Sequence, residues 1–305
     1  MAGQLDLRDL RYFETIAEAG NLGQAAKKLF RTQPALTSCI DRLERTLGTD
    51  LFEKSGRGIR LTAAGEALLA RARLLRIASE ETVREITDLG RGVAGHVRLG
   101  VVPTVARFLL APACRVFLKE ASDVTMKAMI AQNDVLQLSV KGGDLDLIVT
   151  TSATARADAE LEAHAIVDDE IVVVASPSHE VFRKRVTIGD LVKYRWVLAP
   201  PPVEGRRWLD QAFLQRGLPA PTVQIETNLI LILPNLIEQT GLLSFVSRRN
   251  LASAGSRRLK EVRLKETTMR RRFDVVFKKD GYLSPAAQRL VELLKKRGGE
   301  LFESR

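Results

Sequence analysis

The chain has 305 residues, 45% of them hydrophobic and 5% aromatic, with 47 Lys and Arg against 37 Asp and Glu. That length accommodates two or three packed domains, that apolar content excludes a disordered polymer, and the formal charge of +10 points to a polyanionic partner without specifying a fold. The charge is uneven: residues 21–76 hold 11 basic against 5 acidic side chains, and residues 247–305 hold 17 against 7. The opening "MAGQLDLRDLRYF" carries acids where a secretion signal needs an apolar core, and no apolar run approaches membrane-crossing length. A cytoplasmic protein without a membrane partner is therefore expected.

In chain order, Leu7, Leu10, Phe13, Ile16 and Ala17 form one apolar helical face, and "AGN" stops that helix and offers Asn21 as the next cap. Leu22, Ala25, Ala26 and Leu29 continue the period, with small residues where two helices must approach closely. Pro34 suits the first turn of a third helix, whose Leu36, Ile40, Leu43 and Leu47 face inward and whose Ser38, Asp41, Arg42 and Arg45 face outward. Two crossing helices of this kind make a helix-turn-helix. "LFEKSGRGIRLTAAG" then reads as a hairpin turning at Gly56 and Gly58, with Lys54, Arg57 and Arg60 on its tip and edge, within reach of a phosphate backbone.

Thr62 caps a long helix from about Ala63 to Leu89. Leu68, Ala72, Leu75, Ser79, Thr82, Ile86 and Leu89 alternate three and four residues apart along it, a seam that one subunit cannot bury and that predicts a dimer. Two cysteines, Cys39 and Cys114, stand without CxxC or Cys/His spacing, so each reads as a small packed residue and no metal site or disulfide framework is expected.

"LRYFETIAEAGNLGQAAKKL", "TQPALT", "IDRLERTLGTDLFEK" and "RLTAAGEALL" stand in one order and spacing, and with them the chain resembles the LysR-type transcriptional regulators. The likeness is close over the first ninety residues and looser through "GHVRLGVVPTVA", "GDLDLIV" and "LSPAAQRLVELL". It implies a winged helix-turn-helix DNA-binding domain over 1–61, a dimerisation helix and hinge over 62–92, and an α/β effector-binding domain over 93–305. The last has two subdomains of periplasmic-binding-protein type, one at about 93–164 and 270–305 and the other at about 165–269. The implied partners are double-stranded DNA, a small-molecule effector, RNA polymerase and further copies of the chain in a homodimer or homotetramer. Where the family usually shows Ser-Arg-Gln in its recognition helix, this chain has Thr37, Ser38 and Cys39; Arg31 offers a positive charge from the turn instead. The expected DNA-contacting set is Arg31, Thr32, Gln33, Pro34, Thr37, Ser38 and Arg42, with Lys54 and Arg57 on the backbone.

"GRGVAGH", three glycines in seven residues, reads as a hinge. Beyond it alternating strand and helix signals predict an α/β domain with mainly parallel sheets. The resemblance implies that the chain crosses between the two subdomains near 161–167 and 265–272, so that a last helix over 285–297 returns to the first. In such sheets ligands sit beyond the carboxyl ends of strands, facing helix N-termini. This nominates Pro103 and Thr104 in "VVPTVA", Gln132 and Asn133 in "IAQND", Pro202 in "APPPVEG" and Asn228 in "ETN"; Thr104 suits helix capping equally well. A helix-terminus site suits an anion. The prolines Pro200 to Pro202, and Pro234 in the middle of a helical run, depart from the commoner family pattern.

The alternatives are an α/β enzyme and an exported solute-binding protein. His96, His164 and His179 fit no ligand spacing, no nucleophile elbow or phosphate loop appears, and Asp144 and Asp146 alternate along a strand as a sheet edge rather than a catalytic pair. No enzyme activity and no cofactor are expected. An exported binding protein would have no use for the N-terminal wing. "RRR" at 270–272 and "KKR" at 295–297 read as charged faces of a crossing strand and a terminal helix rather than a second DNA contact.

Overall fold

A computed structural model describes residues 5–56, 58–91, 95–151, 156–230, 232–251 and 259–303, with the side chains of 88–91 excepted. Arg57, much of the glycine hinge and the side chain of Leu89 lie outside the described residues. The chain divides into two compact units, Met1–Arg91 and Gly92–Arg305.

In the first unit each helix boundary has a chemical cause. Asp6 opens α1 (Leu7–Ala19) by accepting the Arg8 N–H, and Gly20 closes it at φ 60°. Asn21 caps α2 (Leu22–Leu29) by accepting from the Gly23 and Gln24 amides. Thr32 caps α3 (Gln33–Leu47), with Pro34 in its first turn, and Gly48 ends it at φ 68°. Phe13, Ile16, Ala25, Leu36, Cys39 and Leu43 are buried where the three helices meet, whereas Leu47, expected inward, is exposed. The hairpin of β1 (Phe52–Ser55) and β2 (Gly58–Leu61) pairs antiparallel.

Thr62 then starts α4 (Ala63–Arg91): its hydroxyl accepts from the Gly65 amide at 3.0 Å and donates to the Asp50 carbonyl at 2.8 Å. The first half of this helix packs on α1. Ala72 and Ile77 are buried, Leu68 joins the cluster around Leu10 and Phe13, and Glu14 receives Arg76 at 3.1 Å and Arg73 at 3.6 Å. The expected seam is corrected accordingly. Leu68 and Ala72 serve their own unit, and the apolar side chains left outward are Leu74, Leu75, Val83 and Ile86.

In the second unit β3 (His96–Val101) leads into a helix over 103–120, α5, that begins as Pro103–Val105, widens into a π turn over Ala106–Leu110 and resumes as Ala111–Glu120. Pro112 has no N–H to offer a preceding carbonyl, and the wide turn falls immediately before it. Next come β4 (Thr125–Ile130), α6 (Asn133–Lys141), β5 (Leu147–Thr151) and the long β6 (Leu161–Ala175). β7 (Arg195–Leu198), α7 (Glu204–Leu214), β8 (Thr222–Glu226), α8 (Leu233–Thr240) and β9 (Leu243–Ser247) build the second subdomain. The short β10 (Lys260–Glu261), the long β11 (Met269–Lys278) and α9 (Pro285–Glu303) complete the chain.

The strands lie in the order β4-β3-β5-β11-β6-β9-β7-β8, with β10 on β6. The outer pairs are parallel, but β11 pairs antiparallel with β5 and β6, and β6 antiparallel with β9, so the sheet is mixed rather than mainly parallel. β6 and β11 are the two crossings, joined along their length with a register shift between Phe273 and Asp274. One core, including Leu99, Leu136, Ile148, Phe273 and Leu290, serves the first subdomain. Two smaller ones, around Trp196 and Phe213 and around Val174 and Ile237, cover the faces of the second. Pro234 is corrected too: it lies in the first turn of α8, where a missing N–H costs nothing, and interrupts no helix.

Candidate nucleic-acid interface and effector site

On α3 the inward residues Leu36, Cys39, Ile40 and Leu43 leave Gln33, Pro34, Thr37, Ser38 and Asp41 exposed in a row, and Arg31 and Thr32 are exposed just before them. This is the surface an α-helix presents to a major groove. Thr32 gives its hydroxyl to the cap, accepting from the Ala35 amide at 3.4 Å, and the Thr37 hydroxyl donates back to the Gln33 carbonyl at 3.2 Å. Arg31 leans on α1, its Nε donating to the Tyr12 hydroxyl at 3.1 Å.

Arg42, expected at the groove, is half exposed on that outer face and also ties α3 to α1. Its Nε and Nη2 donate to both carboxylate oxygens of buried Asp9 at 2.6 and 2.7 Å, and this guanidinium holds the Asp9 carboxyl below the usual range. Sequence periodicity placed Arg42 on the outer face correctly but could not name Asp9, thirty-three residues earlier. Beside this clamp Cys39 is buried, its Sγ 3.7 Å from the Asp9 carbonyl oxygen, and burial pushes its thiol up to about 12. In the hairpin Lys54 is exposed, Arg60 pairs with Glu53 at 2.8 Å, and Arg57 lies outside the described residues.

In the second unit hydrogen bonds join the loop after β3 to the crossing strands and to the loop after β8. Thr104 is buried and caps nothing: the helix start at Val102 has no side-chain cap, and the Thr104 hydroxyl accepts from Nη2 of Arg271 at 3.0 Å. Arg271, on crossing strand β11, also grips Asp169 on crossing strand β6, at 2.9 Å from Nε and 2.7 Å from Nη2. Asp169 in turn accepts from the Ser247 hydroxyl at 2.7 Å. A single hydrogen-bonded chain thus joins the first subdomain's loop, both crossings and the end of β9. Arg107, carried by the π turn, donates to the Ile230 carbonyl at 3.1 Å, linking the loop after β3 to the loop after β8, and burial lowers its pKa.

Asn133 is held by the end of β5: it donates to Thr151 Oγ1 and accepts from Thr150 Oγ1. Gln132 and Pro103 are half-buried at the starts of α6 and α5, whereas Pro202 and Asn228 are exposed on their loops. The structure therefore brings Thr104 to the crossing strands and anchors Asn133 to β5. The residues the sequence reading missed are Arg107, Asp169, Ser247 and Arg271. Their signal was present as "DDE" at 168–170 opposite "RRR" at 270–272: the register sets Glu170, Asp169 and Asp168 against Arg270, Arg271 and Arg272, and each pair forms an ion pair. That ladder pairs three arginines of the basic C-terminal stretch with acids outside it, while Lys295–Glu292 and Arg297–Glu300 on α9 pair within it.

An open groove of about 920 Å³ elsewhere on the second subdomain, lined by Phe182, Lys184, Lys260, Glu261, Arg263 and Lys265 among others, includes none of these loop residues. Asp144 and Asp146 form no catalytic pair. Asp146 is buried and takes the Arg98 guanidinium at 2.6 Å and the Arg98 amide at 2.8 Å, while Asp144 is exposed. Among the described residues no cluster of His, Cys, Asp and Glu could hold a metal, and no helix is long and apolar enough to cross a membrane.

Residues 7–66 match the model of the bacterial regulatory helix-turn-helix protein, lysR family, and residues 90–299 match that of the LysR substrate binding domain. The chain belongs to the LysR family of transcriptional regulators. It is similar to the HTH-type transcriptional regulator CbbR of Xanthobacter flavus, 27% identical over 98% of this chain and 90% of the relative. It is also similar to GbpR of Azospirillum brasilense, 28% identical over 74% of this chain and 67% of that protein. In fold it resembles full-length CbnR complexed with its target DNA, at a TM-score of 0.65 and 22% identity over 96% of this chain and 99% of that one. A full-length OxyR from Pseudomonas aeruginosa gives 0.64 and 19% over 98% and 97%. As a LysR-family member the chain is a DNA-binding regulator with an effector-binding domain, and not an enzyme.

Proposed function

We propose that this LysR-family regulator is switched by a small anionic effector held between its subdomains beside Thr104. The observation that carries this reading is the hydrogen-bonded chain that ties Thr104 through Arg271 to both crossing strands, with the Arg107–Ile230 contact joining a loop of each subdomain nearby in the chain. Val102, Gln132, Val203 and Ile232 precede α5, α6, α7 and α8 without a side-chain cap, which leaves N–H groups to a ligand. Thr104 accepts from Arg271, so its own proton remains to be donated. Asn133, with oxygen and nitrogen both engaged by β5, positions the start of α6. Pro103, Gln132, Pro202 and Asn228 complete the loops around the ligand.

The test is a thermal-shift panel of small carboxylates and phosphates, read by intrinsic tryptophan emission, since Trp196 and Trp208 both lie in the effector-binding unit. At least one anion should stabilise the parent. Thr104→Val should weaken that anion's binding by roughly ten- to a hundredfold, the scale of a lost hydrogen bond to a charged group. A panel with no anion hit, or a hit that Thr104→Val leaves untouched, overturns the proposal.

For DNA, the reading places Arg31, Thr32, Gln33, Pro34, Thr37 and Ser38 at the groove and Lys54 and Arg57 on phosphates, with Arg42 supporting α3 through its clamp on Asp9. For assembly, the outward Leu75, Val83 and Ile86 of α4 meet the same residues of a second copy, giving a cytoplasmic homodimer or a homotetramer built from it that approaches RNA polymerase at the promoter. Leu75→Arg with Ile86→Arg would bury unpaired like charges in that contact, and dimers should dissociate. Light scattering that finds the parent monomeric at micromolar concentration overturns this assembly.

A further inference from the structure

Phe30 is the most exposed large hydrophobic side chain among the described residues, at 92%. It is also the one described residue other than glycine with a positive φ, 52°. The backbone has a clear reason for that conformation: at the end of α2 the Phe30 N–H donates to the Ala26 and Lys27 carbonyls, and the chain reverses into α3. The ring has no such reason. A left-handed helix end favours glycine or asparagine, as Gly20 and Gly48 show at the ends of α1 and α3, and an aromatic residue there is strained. The core beneath is already closed by Ile16, Ala25, Ala26, Leu36 and Ile40. Neither packing nor backbone geometry explains a phenyl ring at this position.

Its surroundings suggest what does. Lys27, Lys28 and Arg31 are exposed on either side in sequence, and the exposed Thr32, Gln33 and Pro34 that open α3 follow directly. Three cations around one apolar ring complement a phosphate-lined groove better than an apolar protein surface. Within that groove the apolar group available to a side chain is the C5 methyl of thymine. On the outward row of α3 Gln33 is a base reader, whereas Ser38 is short and Arg42 is clamped to Asp9, which leaves room for a further contact at the edge of the site.

We propose that Phe30 is a specificity-determining DNA contact that packs on a thymine methyl at the edge of the site read by α3. A preferred operator is first selected from random duplexes with the full-length protein. Binding of the parent, Phe30→Ala and Phe30→Asn is then measured on that operator and on duplexes in which each thymine in turn is replaced by deoxyuracil, which removes only the methyl. One replacement should weaken the parent by about fourfold, the scale for burying one methyl group. Both variants should weaken on the unmodified operator by at least as much and should ignore that replacement. Phe30→Asn should melt at or above the parent's temperature, because asparagine tolerates the left-handed backbone, so weaker binding there is not a folding defect.

Variants that bind the operator like the parent overturn the proposal. So does a deoxyuracil penalty that persists undiminished in both variants. Equal loss on the operator and on random DNA also overturns it, because the ring would then touch the sugar-phosphate backbone alone.

Discussion

Replacing Arg271 by alanine is expected to destabilise the effector-binding unit by about 3–5 kcal/mol, the range found when one partner of a buried ion pair is removed. The reason is what remains. The Asp169 side chain is 1% exposed and that of Arg271 15%, so the truncation leaves a desolvated carboxylate with Ser247 as its hydrogen-bond donor and strips the Thr104 hydroxyl of its own donor. Tryptophan emission, which reads only this unit, should shift to a lower urea midpoint, while unfolding of the DNA-binding unit stays unchanged. The double variant Asp169→Asn with Arg271→Gln keeps the shape, removes both charges and should recover most of the loss, as expected for coupled residues. An alanine variant with the parent's midpoint would mean that water already neutralises the pair.

The second large effect is expected at Gly65. A Cβ built there would stand 2.1 Å from the Leu51 carbonyl oxygen and 2.9 Å from Leu61 Cδ2. The obstacle is backbone that also accepts the Thr62 N–H at 3.0 Å, so the start of α4 must move off the base of the hairpin and loosen the Thr62 cap. Gly65→Ala should therefore destabilise the DNA-binding unit by about 3 kcal/mol, the upper end of overpacking, although alanine is the better helix former. DNA affinity should fall with it, most steeply near body temperature, and tryptophan emission should not change. Unaltered thermal melting of the DNA-binding unit by circular dichroism would show that the helix start yields without cost.

Gly65 also illustrates what the sequence could and could not disclose. As a letter in a helical run it reads as a tolerated weak spot; the carbonyl it accommodates comes from a turn fourteen residues earlier. The three helices, the hairpin and α4 were legible because each depends on local periodicity, caps and glycines, whereas the two crossings came from the family resemblance. Leu68 and Ala72 were misplaced in role, and the Asp9 partner of Arg42 was missed, because a period identifies a face and not the neighbour against it. The loop residues Thr104 and Asn133 were nominated from the rule that ligands sit beyond strand ends, but Arg271, which holds Thr104, is distant in sequence and visible only once β6 and β11 are in register. Arg107 was hidden for another reason. Its direction depends on a π turn, which a 3.6-residue period does not reveal.

The buried thiol of Cys39 makes the recognition helix a clock. Closed, it presents 1% of its surface and a proton held to about 12, so a thiol reagent reaches it only when α3 swings away from α1 and breaks the Arg42–Asp9 clamp. Its labelling rate therefore counts openings of the DNA-reading element, one molecule at a time, without any added probe. Cys114, half-buried in the other unit, supplies the simultaneous control. Operator DNA, binding the ordered helix, should slow the first reaction in proportion to its occupancy and leave the second alone. The chain thus carries, in one cysteine, a meter of how often its reading head lets go of its own scaffold.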